Sequence, residues 1–372
     1  MVYKFSDLFR WCSGKSITAT YGDIPIYGSN GIIGYTDIAK YSNKIILGRV
    51  GAYCGSVEYC KDDFNATDNT LITTCDESKI TYKFAYYLLS QYKLNDYAGG
   101  SAQPLITQSI LKHLKCSIPS LSHQQKIASI LSAYDNLIEN NNKRIKILEQ
   151  MAENLYKEWF VRFRFPGYQS TEFENGLPKG WKVVQAQDLF DISIGRTPDR
   201  KVFEYFTDNS SDYLWVSIAD MKDKMFVMSS SEYLTNEAIQ KVNMPMVSEN
   251  TVILSFKLSV GRVSITTQLT CTNEAIAHFN TNDRQLLEYT YLYLKFFQYQ
   301  DLGNTSAIGN AVNSTIIRKM KFLYPDKKIL NVFHQRAKLL FDEIKLLSYK
   351  NQNLTKQRDL LLPRLMSGKL IV

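Results

Sequence analysis

This chain of 372 residues repeats itself. DLFRWCSGK (Asp7 to Lys15) reads against DLFDISIGR (Asp188 to Arg196), with the glycine and the following cation in register. KIILGRVGAYCG (Lys44 to Gly55) reads against TVILSFKLSVGRV (Thr251 to Val263), and ATDNTLI (Ala66 to Ile72) against CTNEAIA (Cys271 to Ala277). GGSAQPLITQSILKHLK (Gly99 to Lys115) reads against NTSAIGNAVNSTIIRKMK (Asn304 to Lys321). Each half then reaches a proline, Pro119 in CSIP and Pro325 in FLYP, and continues as a long amphipathic segment. A solenoid repeats every ~20–50 residues; a period this long is a duplicated domain. The expected order is head over 1–119, long helix over 120–165, head over 166–325, and a long C-terminal helix and tail over 326–372. The fold class is α+β, with a pseudo-two-fold internal repeat. Such a chain does one thing at two places a fixed distance apart.

The helices are read from their periodicity. Ser122 and Gln125 have capping-box spacing. Ile127, Tyr134, Asn141, Leu148 and Leu155 then recur every seventh residue, beside Leu131, Ile138, Ile145, Ala152 and Trp159. Pro166-Gly167 closes the segment. The second helix is expected to begin near Asp326 and carries Leu340, Leu347, Leu354 and Leu361, beside Ile344, Asn351, Arg358 and Leu365. Pro363 is expected to kink or end it. Two such rows in one chain, with a head between them, predict an antiparallel intramolecular coiled coil. Asn141 and Asn351 could meet as a register pin, or each could face solvent. Tyr156, Trp159 and Phe160 are too apolar for a bare surface; part of that patch is expected to pack on the second head and part to meet a partner.

Hydrophobic content of 45% and charged content of 22% are globular values. The net charge of +8 suits a polyanion, but residues 326–372 carry +6 of it, so bulk charge does not mark the heads as DNA binders. No run approaches the ~18 apolar residues of a membrane span, and the first residues show no secretory h-region. Six scattered cysteines without a CxxC suggest buried thiols in a reducing cytoplasm. Gly14-Lys15-Ser16 resembles the end of a phosphate loop, but Phe9 stands where its first glycine belongs. The four histidines lack metal-ligand spacing, and no (Asp/Asn)-Pro-Pro-(Tyr/Phe) methyltransferase motif occurs. A loose nuclease pattern matches twice: Pro325-Asp326 with Glu343-Ile344-Lys345, and Pro198-Asp199 with Asp220-Met221-Lys222. In the first head, PIYGSNGIIGY (Pro25 to Tyr35) joins flexible glycines to Ser29 and Asn30, residue types that can bond base edges. YLWVSIADM (Tyr213 to Met221) lies at the comparable place in the second. Either could equally be a plain surface turn.

Laid out in this way, the chain resembles the specificity subunit of type I restriction–modification systems. The closest stretch is HQQKIASILSAYDNLIENNNKRIKILEQMAENLYKEWFVRFRFPG (His123 to Gly167), which looks like that family's central region. YGSNGIIGY, ATDNTLI and GSAQPLITQSILK support it in the first head, LPKGWKVVQAQDLF and QRDLLLPRLMSGKL later on. The resemblance implies a non-catalytic reader of double-stranded DNA, with one target-recognition domain per half of a split, asymmetric site. It implies that the helices set the spacer and dock two modification (methyltransferase) subunits, which bring S-adenosylmethionine, and that restriction subunits with ATP and Mg²⁺ join them. No cofactor is expected on this chain itself. A two-headed protein-binding scaffold is the alternative, a metal-dependent nuclease a weaker one. The expected DNA contacts are Tyr27, Ser29, Asn30, Arg49, Ser101, Gln103 and Thr107 in the first head. In the second they are Arg196, Ser217, Lys257, Arg262, Ser306, Asn310 and Asn313.

Overall fold

The computed structural model describes residues 2–99, 104–299, 313–370 and 372. The chain divides into two compact units, Met1–Glu139 with Gln352–Val372, and Asn140–Asn351. These cut across the head and helix segments expected from sequence. The physical reason is that each head completes its core with the helix stretches that leave and return to it. In unit 1, Ile127, Ala128, Leu131 and Leu365 share one core with Phe5, Leu47, Phe84 and Leu111. In unit 2, Ala152, Ala337, Phe341 and Ile344 share one with Phe190, Leu254, Phe279 and Phe322.

Unit 1 holds a four-stranded antiparallel sheet in the order Phe9–Ser13, Thr70–Cys75, Lys44–Gly48, Val57–Cys60. Ile45, Ile46 and Leu47 in its middle are all buried, as a strand covered on both faces requires. A second, three-stranded sheet runs Gly31–Thr36, Ile24–Gly28, Asn65–Ala66. Unit 2 repeats the plan. Its larger sheet begins Asp191–Ile194, Ile276–Asn280, Val252–Ser255, Val263–Thr266, and its smaller one again contains a parallel pair, Tyr213–Val216 beside Thr270–Thr272.

The match extends to single hydrogen bonds. Lys15 N donates to the Ala66 carbonyl at 3.1 Å, and Arg196 N to that of Thr272 at 2.9 Å. Thr67 N donates to the Tyr27 carbonyl at 2.9 Å, and Asn273 N to that of Val216 at 3.0 Å. These bonds move the third sequence repeat by one residue: Ala66 corresponds to Thr272, not to Cys271. Side-chain similarity misplaced it, because it matched Thr67 with Thr272 and Asp68 with Asn273. Gly14 and Gly195 show why the glycine recurs. A Cβ would stand 2.0 Å from the Thr67 carbonyl oxygen in one unit and 2.2 Å from that of Asn273 in the other.

The first long helix is α-helical over Leu121–Tyr156 and ends in a π turn, Lys157–Val161. It starts before the expected Ser122 cap. Gln124 N donates to the Ser120 carbonyl at 2.9 Å, and the Ser120 hydroxyl meets His123 Nδ1 at 2.9 Å. The earlier start seats Gln124, fully buried, where its amide accepts from Thr81 N at 3.0 Å and donates to the Lys79 carbonyl at 2.8 Å. The second long helix runs Lys327–Met366, with Asp326 Oδ1 accepting from Lys328 N at 2.8 Å. It passes through Pro363, contrary to expectation. That proline falls in the last turn and on the exposed side, where the loss of one helical hydrogen bond disrupts least.

The two helices are antiparallel in each unit. In unit 1, Arg358 Nη1 donates to Asp135 Oδ1 at 2.7 Å, between half-buried Tyr134, Leu354 and Leu361. In unit 2, Asn141 Nδ2 donates to Asn351 Oδ1 at 2.9 Å, and Asn351 Nδ2 to Asn142 Oδ1 at 2.8 Å. Further along, Arg144 pairs with Glu343 at 2.8 Å. Leu148, Leu155 and Leu340 are only half-buried, whereas Phe333, Ala337, Phe341, Ile344 and Leu347 are buried. Over this stretch the second helix obeys the 3.6-residue period of a helix lying on a domain core, not the strict heptad. Leu347→Ala should therefore cost ~2–5 kcal/mol in chemical denaturation, and the half-buried Leu340→Ala distinctly less.

Burial also sets a pH response in unit 2. His278 is fully buried, with Nδ1 at 2.9 Å from the Ser193 hydroxyl and Nε2 at 2.7 Å from that of Thr272. Burial lowers its pKa from 6.5 to about 4. Between these values the unfolded chain binds a proton that the folded chain refuses. Stability from this group is complete above about pH 6.5 and declines as the pH falls towards 4, by up to ~3 kcal/mol. Urea titrations of wild type and His278→Gln across this range should show the decline flattened in the variant.

Candidate nucleic-acid interface

Sequence alone offers many polar residues in the head loops; the structure sorts them by what they already bind. In unit 1 the tip between strands Ile24–Gly28 and Gly31–Thr36 meets the loops after Gly48 and before Thr70. Ser29 fastens them together. Its hydroxyl donates to the Asn69 carbonyl at 2.6 Å and accepts from Arg49 N at 3.2 Å. Its hydroxyl is thus engaged within the protein. Tyr27 is half-buried, its ring edge-on to Phe64 at 5.6 Å. Burial, with the Cys60 thiol alongside, pushes its phenol far above the usual range. It too faces the protein. Thr107 caps the helix Gln108–His113 by accepting from Ile110 N at 3.3 Å. Asn30 is exposed and Arg49 half-buried, and neither side chain has a hydrogen-bond or ion-pair partner among the described residues. Ser101 and Gln103 lie outside the described residues.

Unit 2 sorts the same way. Arg196 donates to the carbonyls of Val242 at 2.6 Å and Asn243 at 3.3 Å, closing the helix Asn236–Val242. Ser217 donates its hydroxyl to Asp220 Oδ2 at 2.6 Å. Arg262 Nη1 donates to the Ile218 carbonyl at 2.8 Å. Asn313 accepts from Ile316 N at 3.0 Å and caps Ser314–Lys319, as Thr107 does in unit 1. All four side chains are engaged within the protein: Arg196, Arg262 and Asn313 bind main chain and Ser217 binds the Asp220 carboxylate, because arginines and short polar side chains satisfy groups that strand and helix ends leave open. Lys257 is exposed at this rim, its ammonium 5.5 Å from the Phe256 ring. Ser306 and Asn310 lie outside the described residues.

One candidate was missed. Lys15 matches Arg196 in the repeat, yet it is exposed and its ammonium has no partner among the described residues. The aligned glycine–cation pair was the available signal. Beside it, Asp68 and Asn69 are exposed and complete the rim.

The nuclease pattern does not assemble. Asp220 is buried and accepts from Ser217 N at 2.9 Å and Ser231 N at 3.0 Å. Burial alone would raise its pKa, but these hydrogen bonds outweigh it and hold the carboxyl below its ordinary value. Glu343 is occupied by Arg144. Among the described residues no group of three or more His, Cys, Asp or Glu could hold a metal ion. None of their helices is long and apolar enough to cross a membrane.

Tyr156, Trp159 and Phe160 are buried, contrary to the partner surface expected in part for them. Phe160 stacks edge-on against Tyr289 and Phe333, each at 4.8 Å, and Trp159 lies 5.7 Å from Phe333. Trp159 and Phe160 lie within the π turn and Tyr156 in the α-helical turn before it. Trp159→Ala should thus cost ~3–5 kcal/mol in unfolding measurements, whether or not a partner is present.

The model of the type I restriction modification DNA specificity domain matches residues 1–150 and 178–356, one stretch per repeat, and the chain belongs to that family. It is 30% identical over 314 residues to the type I restriction enzyme MjaIX specificity subunit of Methanocaldococcus jannaschii, covering 79% of this chain and 70% of that protein. It is 23% identical over 378 residues to the HindI specificity subunit of Haemophilus influenzae, covering 83% and 82%. The type I restriction–modification S subunit from M. genitalium has the same fold, with a TM-score of 0.62 at 17% identity over 98% of this chain and 95% of that one.

Proposed function

We propose that this chain is the DNA-reading subunit of a type I restriction–modification complex. Each unit addresses one half of a split, asymmetric site, and the paired helices fix the distance between the halves. Chemistry belongs to the partners: two modification subunits carrying S-adenosylmethionine methylate adenine N6, and restriction subunits supply ATP- and Mg²⁺-dependent cleavage. The observation that carries the reading is a frame repeated down to several main-chain hydrogen bonds whose exposed rims differ. Lys15, Asn30, Arg49 and Asp68 stand on one; Lys257 and Glu274 stand on the other. Equal frames with unequal rims suit a reader of two different short sequences, since base contacts specify while phosphate contacts position.

Mapping methylated adenines in a host carrying variants of this chain tests it. Asn30→Ala should relax one base position in one half-site, at a cost of ~1–3 kcal/mol there, and leave the other half unchanged. Lys257→Ala should leave the motif intact and lower occupancy in a salt-dependent way. A methylation pattern that does not depend on this chain would refute the proposal.

A further inference from the structure

Arg49 occupies a point at which the two matched frames differ in charge: an arginine in unit 1 stands where unit 2 has a phenylalanine. Its amide donates to the Asn69 carbonyl at 2.9 Å, and the amide of its counterpart, Phe256, donates to the Ala275 carbonyl at 2.9 Å. Phe256 is buried in the core of unit 2. Arg49 is pinned more tightly still: its carbonyl accepts from Ile106 N at 3.0 Å and from Cys54 Sγ at 3.2 Å, so three loops fix its backbone. Its side chain is not satisfied. Nε is enclosed by protein and meets no acceptor. The enclosed Nε holds the guanidinium in place at a cost of ~1–3 kcal/mol, and its two Nη groups, which bond to no described residue, are left for acceptors from outside.

Resting on the DNA-reading role proposed above, we infer that Arg49 reads one guanine in the half-site of unit 1. Its guanidinium takes the O6 and N7 acceptors in the major groove, and unit 2 has no counterpart to this contact. Duplex DNA offers acceptors on phosphates and on base edges. The exposed Lys15 and Lys257, point charges on long side chains, suit phosphates. A guanidinium with a fixed backbone and a half-buried stem suits a planar acceptor pair that must be met in one orientation, and guanine is the base that presents two adjacent acceptors there. Lysine, a point charge, cannot replace that fork.

The test uses the assembled complex and duplexes carrying its methylated site, with 7-deazaguanine replacing each guanine of one half-site in turn. This change removes N7 and leaves Watson–Crick pairing intact. One replacement should weaken wild-type binding about tenfold and have no further effect on Arg49→Ala. Arg49→Ala and Arg49→Lys should both bind the unmodified site on the order of ten- to a hundredfold more weakly. Arg49→Met keeps the buried stem, and equal melting temperatures would show that the loss is one of contact. Indifference to every replacement, a salt dependence shallower by about one ion in Arg49→Ala and recovery in Arg49→Lys would identify a phosphate contact and overturn the inference. A complex that reads its site through the unit 2 half alone would overturn it as well. Binding without any sequence preference would instead overturn the DNA-reading role, and the inference with it.

Discussion

A hydrogen bond between two amides in the middle of a leucine-rich contact sets the register on which unit 2 depends. Asn141 is nearly buried, and its amide reaches Asn351, which reaches back to Asn142. Sliding one helix past the other by a turn would leave a buried amide without a partner, at ~1–3 kcal/mol, while apolar neighbours would tolerate the slip with little loss. A polar pair therefore specifies what leucines alone leave degenerate. With that register fixed, Arg144 meets Glu343, and Phe341 and Ile344 enter the core beneath the larger sheet.

The aromatic end of the first helix makes the second anchor of unit 2. Tyr156, Trp159 and Phe160 close on Tyr289 and Phe333, so the helix is built into the domain. In unit 1 the corresponding attachment is polar. Gln124, fully buried, ties the helix start to the carbonyl of Lys79 and the amide of Thr81. One helix is thus fixed at one end by amide geometry and at the other by ring packing. Each solution follows from residues that have the required shape at that position.

The duplication and the helical periodicity were legible in the sequence because both spread over many residues. The rim was legible only in part. Ser29, Thr107, Arg196, Ser217 and Asn313 have the chemistry of base readers, but the same chemistry caps helices and joins loops, and local sequence does not separate the two uses. Asn30, Arg49 and Lys257 remain after the structure assigns those bonds. The one-residue displacement of the Ala66 repeat was hidden for a related reason: its register is set by carbonyl and amide positions, and these have no residue signature. Trp159 is buried within the π turn at the helix end, which heptad counting does not register.

The close approach at Gly14 and Gly195 has a consequence for how such a protein can change. The bonds that define each head there run between main-chain atoms, and the Cβ of any larger residue would collide with a carbonyl. At this crossing the frame is therefore set by main-chain positions rather than by side-chain identity. Exposed rim side chains such as Lys15 and Asn30 bond to no described residue, so they can be exchanged singly without disturbing the strands below. A new address can be written on an old scaffold, and because the scaffold occurs twice, one half of the address can drift while the other is kept.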